Sequence, residues 1–154
     1  MFLKTKQQQI YSQILNNHKS LNKQFASALS KVIVEKSYKY KVSASLLAAI
    51  LMQESSYNLS AKNKKCGFSE ETGKRACIIQ DYGVGQINYK TIEYLKLDKK
   101  RLTTDLSYSV DAAAKVLSNF KKMYGHKEID FWTRYNSSNK NKRLVYKRLV
   151  ERYM

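Results

Sequence analysis

Apolar residues recur at helical spacing along most of the chain. Leu21, Phe25, Ala28, Leu29, Val32 and Ile33 fall at steps of one, three and four, which predicts a helix from Leu21 to about Tyr38–Lys41. Ser43 or Ser45 can cap a second helix running through Met52 to Glu54, with Leu47, Ile50 and Leu51 on its buried side. Further on, Thr91 to Leu97 makes a short helix, and Val110, Ala113, Ala114, Leu117, Phe120 and Tyr124 form a long stripe. Phe131 to Tyr135 is another short segment, and Val145, Leu149 and Tyr153 mark a last amphipathic helix. Residues 1–20 are polar, with Ile10, Ile14 and Leu15 hinting at a weak helix; they read as a partly helical N-terminal extension that frays at its start. Residues 55–90 break the rhythm. Gly67, Gly73, Gly83 and Gly85 collect there among Asn, Ser and Lys, so this stretch reads as loop with room for a small β-hairpin. The predicted class is mainly α, with helices wrapped around one long polar loop.

Composition sharpens this picture. The chain has 154 residues and no proline, which suits one mainly helical domain with a single core. Its 29 Lys and Arg against 12 Asp and Glu leave a formal net charge of +17, scattered along the chain. Such a surface attracts polyanions such as an anionic cell envelope, but it names no chemistry. No segment has the length of a membrane span, and the N-terminus lacks the apolar stretch of a secretory signal. His18 and His126 stand far apart without a matching ligand cluster, so no metal is expected. Cys66 and Cys77 leave either one disulfide or two free thiols; the short Gly-containing segment between them favours the bond.

The candidate chemistry begins at Glu54. It continues the face of Leu47, Ile50 and Leu51, so a carboxyl stands where the pattern asks for a core residue, at the C-terminal end of its helix. Burial and the negative end of the helix dipole both disfavour its charge. A carboxyl that keeps its proton near neutral pH is what a general acid needs. The competing position for Glu54 is in solvent, just past the end of the helix. Downstream, Asp81-Tyr82-Gly83-Val84-Gly85-Gln86-Ile87-Asn88 offers a tight turn followed by amide groups suited to sugar hydroxyls and acetamido groups.

The order of these motifs resembles that of the soluble lytic transglycosylase (SLT) family, whose domain is similar to goose-type lysozyme. Ala48-Ala49-Ile50-Leu51-Met52-Gln53-Glu54-Ser55 resembles that family's helix ending in Glu-Ser, and Gly83-Val84-Gly85-Gln86-Ile87 its Gly-rich Gln-Ile loop. Leu106 to Tyr124 corresponds to its helix of small and apolar residues, and Arg134-Tyr135-Asn136 to its Ala-Tyr-Asn motif. The sequence departs from the pattern at Arg134, at Ser137-Ser138, and at Tyr89-Lys90, where a proline is common. Residues 62–80, with their Cys-bracketed segment, read as an insertion after the glutamate.

The resemblance implies a lysozyme-like fold, with helices around a substrate cleft and a loop or small hairpin after the catalytic helix. It implies that Glu54 is the acid/base, that Gln86 and the Gly83, Val84 and Gly85 backbone line the cleft, and that Tyr135 and Asn136 face the glutamate. Ser55 would support Glu54 or touch substrate. The implied activity is cleavage of peptidoglycan glycan strands at the bond between N-acetylmuramic acid (MurNAc) and N-acetylglucosamine (GlcNAc), closing a 1,6-anhydro ring without a cofactor. Asp81 keeps a hydrolytic, goose-lysozyme-like outcome open as a second acid, against its ordinary role as a turn residue before Gly83. Tyr135 likewise competes with a place in the core. A basic virion or structural protein that has the fold without the activity is the remaining alternative. The expected partners are peptidoglycan and the anionic envelope, with no specific nucleic acid, and the chain is expected to be a monomer. The expected place of action is the periplasm or cell wall, reached with a virion or secretion apparatus or by release during lysis.

Overall fold

The computed structural model describes the backbone from Phe2 to Met154 and the side chains from Lys4 onward. Helix α3 (Ala44–Ser55) is the axis of the fold. Ala44 and every residue from Leu46 to Leu51 are buried, so this helix is apolar on all sides and needs neighbours all round. They are α1 (Phe2–Asn17), α2 (Lys23–Tyr40), α6 (Leu106–Tyr124) and α7 (Lys140–Glu151). Ser43 is the residue that caps α3, accepting from the Leu46 amide at 3.2 Å. Ser56 and Tyr57 end the helix in left-handed backbone, at φ 53° and 62°.

Residues 2–17 form a four-turn helix, and its Ile10 and Ile14 are fully buried in the common core. Amides from Gln13 and Asn17 then donate to the Tyr153 carbonyl, at 2.7 and 2.8 Å, and tie α1 to the C-terminal segment. Two helices, α2 and α7, differ from expectation in the faces they bury. In α7 the buried face is Tyr146 and Val150, with Arg143 and Lys147 half-buried beside them. Of the expected stripe Val145, Leu149 and Tyr153, Val145 is 57% exposed, Leu149 is half-buried, and Tyr153 packs against the core. In α2 the buried face turns toward Ala26, Ser30 and Ser37, leaving Ala28 exposed.

The polar segment after α3 contains a real sheet. Strands β1 (Lys62–Phe68) and β2 (Arg75–Tyr82) form a long antiparallel hairpin, and β3 (Ile87–Asn88) pairs with the base of β2. Cys66 and Cys77 face each other across the ladder and are joined by a disulfide. The register slips by one residue next to the Asn63–Asp81 pair, where Gln80 is the extra residue on β2. Beyond β3 come α4 (Tyr89–Leu95), capped by Asn88, and α5 (Lys99–Thr104), capped by Asp98. No apolar stripe announces α5. The chain then passes through α6 to a 3-10 turn at Phe131–Tyr135, which leads into α7. Among the described residues no helix is long and apolar enough to cross a membrane.

Candidate active site

Glu54 lies in the last turn of α3, half-buried, at the floor of a cleft of about 280 Å³. Gln80 and Asp81 form the hairpin side of this cleft, and Gln86, Ile87 and Asn88 the loop side. Thr91 of α4, Val116 and Phe120 of α6, and Tyr135 and Asn136 of the 3-10 turn complete it. A larger groove of about 780 Å³ runs between α1 and the C-terminal residues and contains none of these groups.

Burial pushes the Glu54 carboxyl up to about 7 from its ordinary value of 4.5, and the negative charge of Asp81 adds to the rise. One contact opposes it. The Tyr146 hydroxyl donates to Glu54 Oε1 at 2.6 Å, which favours the charged form and fixes the carboxyl's orientation. Tyr146 is itself only 3% exposed, and burial followed by the Glu54 charge holds its own proton firmly. The group at the floor of the cleft can therefore hold a proton at neutral pH and release it with modest driving force.

Sequence reasoning missed Tyr146, and with it Gln80, Thr91, Val116 and Phe120 of the cleft's lining. The family resemblance sets Tyr135 against the carboxyl; Tyr135 lines the same cleft, but its hydroxyl donates to the Gly85 carbonyl at 2.8 Å. The signal for Tyr146 was its spacing to Val150, four residues on, in a helix whose more conspicuous apolar residues point outward.

The Gly-rich loop acts from beneath the cleft. Gly83, Val84 and Gly85 are all buried and are not among the cleft's lining residues. Gly83 has φ +79°, and a Cβ there would meet the Leu102 carbonyl; a Cβ on Gly85 would stand 2.7 Å from the Tyr135 hydroxyl and 2.8 Å from Ala113 Cβ. The Ser55 hydroxyl donates to the Val84 carbonyl at 2.7 Å, so it clamps the end of α3 to this loop. Gln86, at φ 47°, spends its amide N–H groups on the carbonyls of Ala61 and Gly83, at 3.2 and 2.9 Å. These contacts present the Gln86 side chain to the cleft in one orientation.

Asp81 is held from two sides: Asn63 Nδ2 donates to one carboxylate oxygen at 3.0 Å and Asn88 Nδ2 to the other at 3.2 Å. Arg134, which replaces the expected small residue, grips Glu128 through Nε and Nη2 at 2.9 and 2.6 Å and stacks over the Tyr124 ring at 3.7 Å. Arg143 of α7 joins it on Glu128 at 2.8 Å and also donates to Thr133 Oγ1 at 2.9 Å. This charged knot ties the turn that carries Tyr135 and Asn136 to the helix that carries Tyr146. Among the described residues no group of three or more His, Cys, Asp or Glu is placed to hold a metal ion.

A helical domain with one protonatable carboxyl at the end of its central helix, facing a β-hairpin across a cleft, has the lysozyme-like architecture. Residues 31–149 match the family model described as the Transglycosylase SLT domain, and the chain belongs to that family. No curated protein and no solved structure matches the chain.

Proposed function

We propose that the protein is a peptidoglycan lytic transglycosylase, cleaving the MurNAc-β-1,4-GlcNAc bond with formation of 1,6-anhydro-MurNAc. The observation that carries this reading is the Glu54 carboxyl, raised to about 7 by burial and oriented by Tyr146 at the floor of a cleft lined with amides. In its neutral form Glu54 protonates the glycosidic oxygen as the C–O bond breaks. The substrate's own acetamido group stabilises the positive charge that develops at C1. Glu54, now anionic, takes the proton from the muramyl 6-hydroxyl, whose oxygen closes on C1, and the carboxyl is restored. Gln80 and Asn136 offer amide groups, and Gln86 its side-chain oxygen, that can hold hydroxyls and acetamido groups of the strand.

A hydrolytic outcome has one observation in its favour. Asp81 lines the same cleft, its two oxygens fixed by Asn63 and Asn88, and its charge acts on Glu54. A second carboxylate so placed could activate water in place of the 6-hydroxyl.

Mass spectrometry of fragments released from purified wall separates the two readings. Anhydro-muramyl ends are expected from the wild type and from Asp81→Asn, whereas reducing ends that vanish in Asp81→Asn would establish the hydrolase. Glu54→Gln keeps the shape and cannot donate the proton, so release should fall by roughly 10²–10⁴-fold. Wild-type protein that binds wall without releasing fragments would favour a structural protein with this fold.

A further inference from the structure

The outer part of the β1–β2 hairpin takes no part in the chemistry above. Every residue of β1 is exposed, as are Arg75 to Ile78 of β2, and β1 packs chiefly on β2. A ribbon with both faces in solvent contributes little to the core, yet this one is stapled by the Cys66–Cys77 disulfide. It carries Lys62, Lys64, Lys65, Lys74 and Arg75, and among the described residues none of the five has an ion-pair partner. By contrast, half-buried Arg134, Arg143 and Lys147 are all paired with carboxylates. Lys62, Lys64 and Lys65 therefore repel one another along a strand where no carboxylate of the described residues pairs with them, the hairpin's two glutamates, Glu70 and Glu71, standing in the turn at its far end.

The root of the ribbon is the wall of the cleft. Asn63 and Asp81 form the innermost pair on one face, and Lys65 and Ile78 follow on that same face one step outward. Lys62, Lys64 and Arg75 project from the opposite face. From Asn63 to Phe68 the strand extends roughly 17 Å beyond the cleft wall. Material that continues outward from the cleft along the Asn63–Asp81 face meets Lys65, and meshwork on the other face of the ribbon meets Lys62, Lys64 and Arg75.

We propose that this hairpin is a docking ribbon for the carboxylate-bearing stem peptides of the peptidoglycan meshwork, an inference that rests on the function proposed above. Continuity with the cleft selects this partner, since the peptides hang from the same strands that the cleft would hold. Each exposed ammonium–carboxylate pair contributes little, so the attraction is collective and salt-sensitive.

The test is binding of the full-length, disulfide-bonded protein to immobilised peptide-bearing glycan strands and to the same strands stripped of peptides by an amidase, at low and at high salt. In the triple variant Lys62→Gln/Lys64→Gln/Lys65→Gln, affinity for peptide-bearing strands should fall about tenfold, as expected for three weak pairs acting together. The loss should be clearly smaller on stripped strands, which keep only the lactyl carboxylate, and should disappear at high salt, and the corresponding triple Lys→Arg variant should bind as the wild type does. An equal loss on both kinds of strand, no loss on either, or tighter wild-type binding to duplex DNA than to peptide-bearing strands would overturn the proposal. Peptide-selective binding without release of fragments would support the docking ribbon while removing the cleavage reading.

Discussion

At the scale of single residues, the pair Glu54–Tyr146 sets the pH range in which the site can act. The general acid must be neutral, so activity should fall as pH rises through about 7, the value to which burial lifts Glu54. The Tyr146 hydrogen bond pulls in the other direction by favouring the charged carboxylate. Removing it with Tyr146→Phe should raise the Glu54 pKa further and move the alkaline limb of the kcat/KM profile to higher pH, with a lower maximum because the carboxyl is no longer oriented. A limb that stays in place, or moves to lower pH, would show that Tyr146 does not act on the proton of Glu54. Glu54 was legible in the sequence because a carboxyl interrupted a clear apolar face. Tyr146 was not, because its helix is rich in lysines and arginines, two of which pair with Glu128 and Asp130, and its ring lies beside Trp132 of the 3-10 turn.

At the scale of elements, the loop between β2 and α4 is shaped by glycines that differ in what surrounds them. An added methyl at Gly85 would run into the Tyr135 hydroxyl and Ala113, two groups fixed by a hydrogen bond and by α6. Gly85→Ala should cost about 1–3 kcal/mol, the usual range for overpacking. At Gly67, in the exposed hairpin, an added methyl would have no neighbour within 4 Å and φ is not positive, so Gly67→Ala should leave Tm nearly unchanged. Thermal unfolding of both variants side by side checks this, and equal shifts would contradict the packing at Gly85. Element type was readable where apolar spacing was strong, as in α2, α3 and α6. The hairpin was only anticipated as a small one within loop, since a ribbon exposed on both faces has no alternation of buried and polar positions to reveal it. Helix α5 escaped for a related reason: in Lys99–Thr104 only Leu102 is a buried apolar residue, and the Asp98 cap starts the helix.

At the scale of the whole molecule, the net charge of +17 describes a surface, and the arrangement beneath it depends on contacts between parts distant in sequence. Gln13 reaches 140 positions forward to the Tyr153 carbonyl, and Tyr146 reaches back 92 positions to Glu54. Such pairings follow from packing and cannot be read from local pattern. The same holds for α1. Burying Ile10 and Ile14 contributes roughly 3–6 kcal/mol together, against a total stability on the order of 5–15 kcal/mol for a native domain. A chain beginning at Ser20 is expected to lose most of its cooperative melting transition by calorimetry or circular dichroism, and an unchanged Tm would refute this role for α1. The family match begins at Lys31, inside α2, and ends at Leu149, before the Tyr153 carbonyl that receives Gln13 and Asn17. The length of chain marked by common descent is therefore shorter than the length that holds the core together, since the amide latch joins a residue before the match to one beyond its far end.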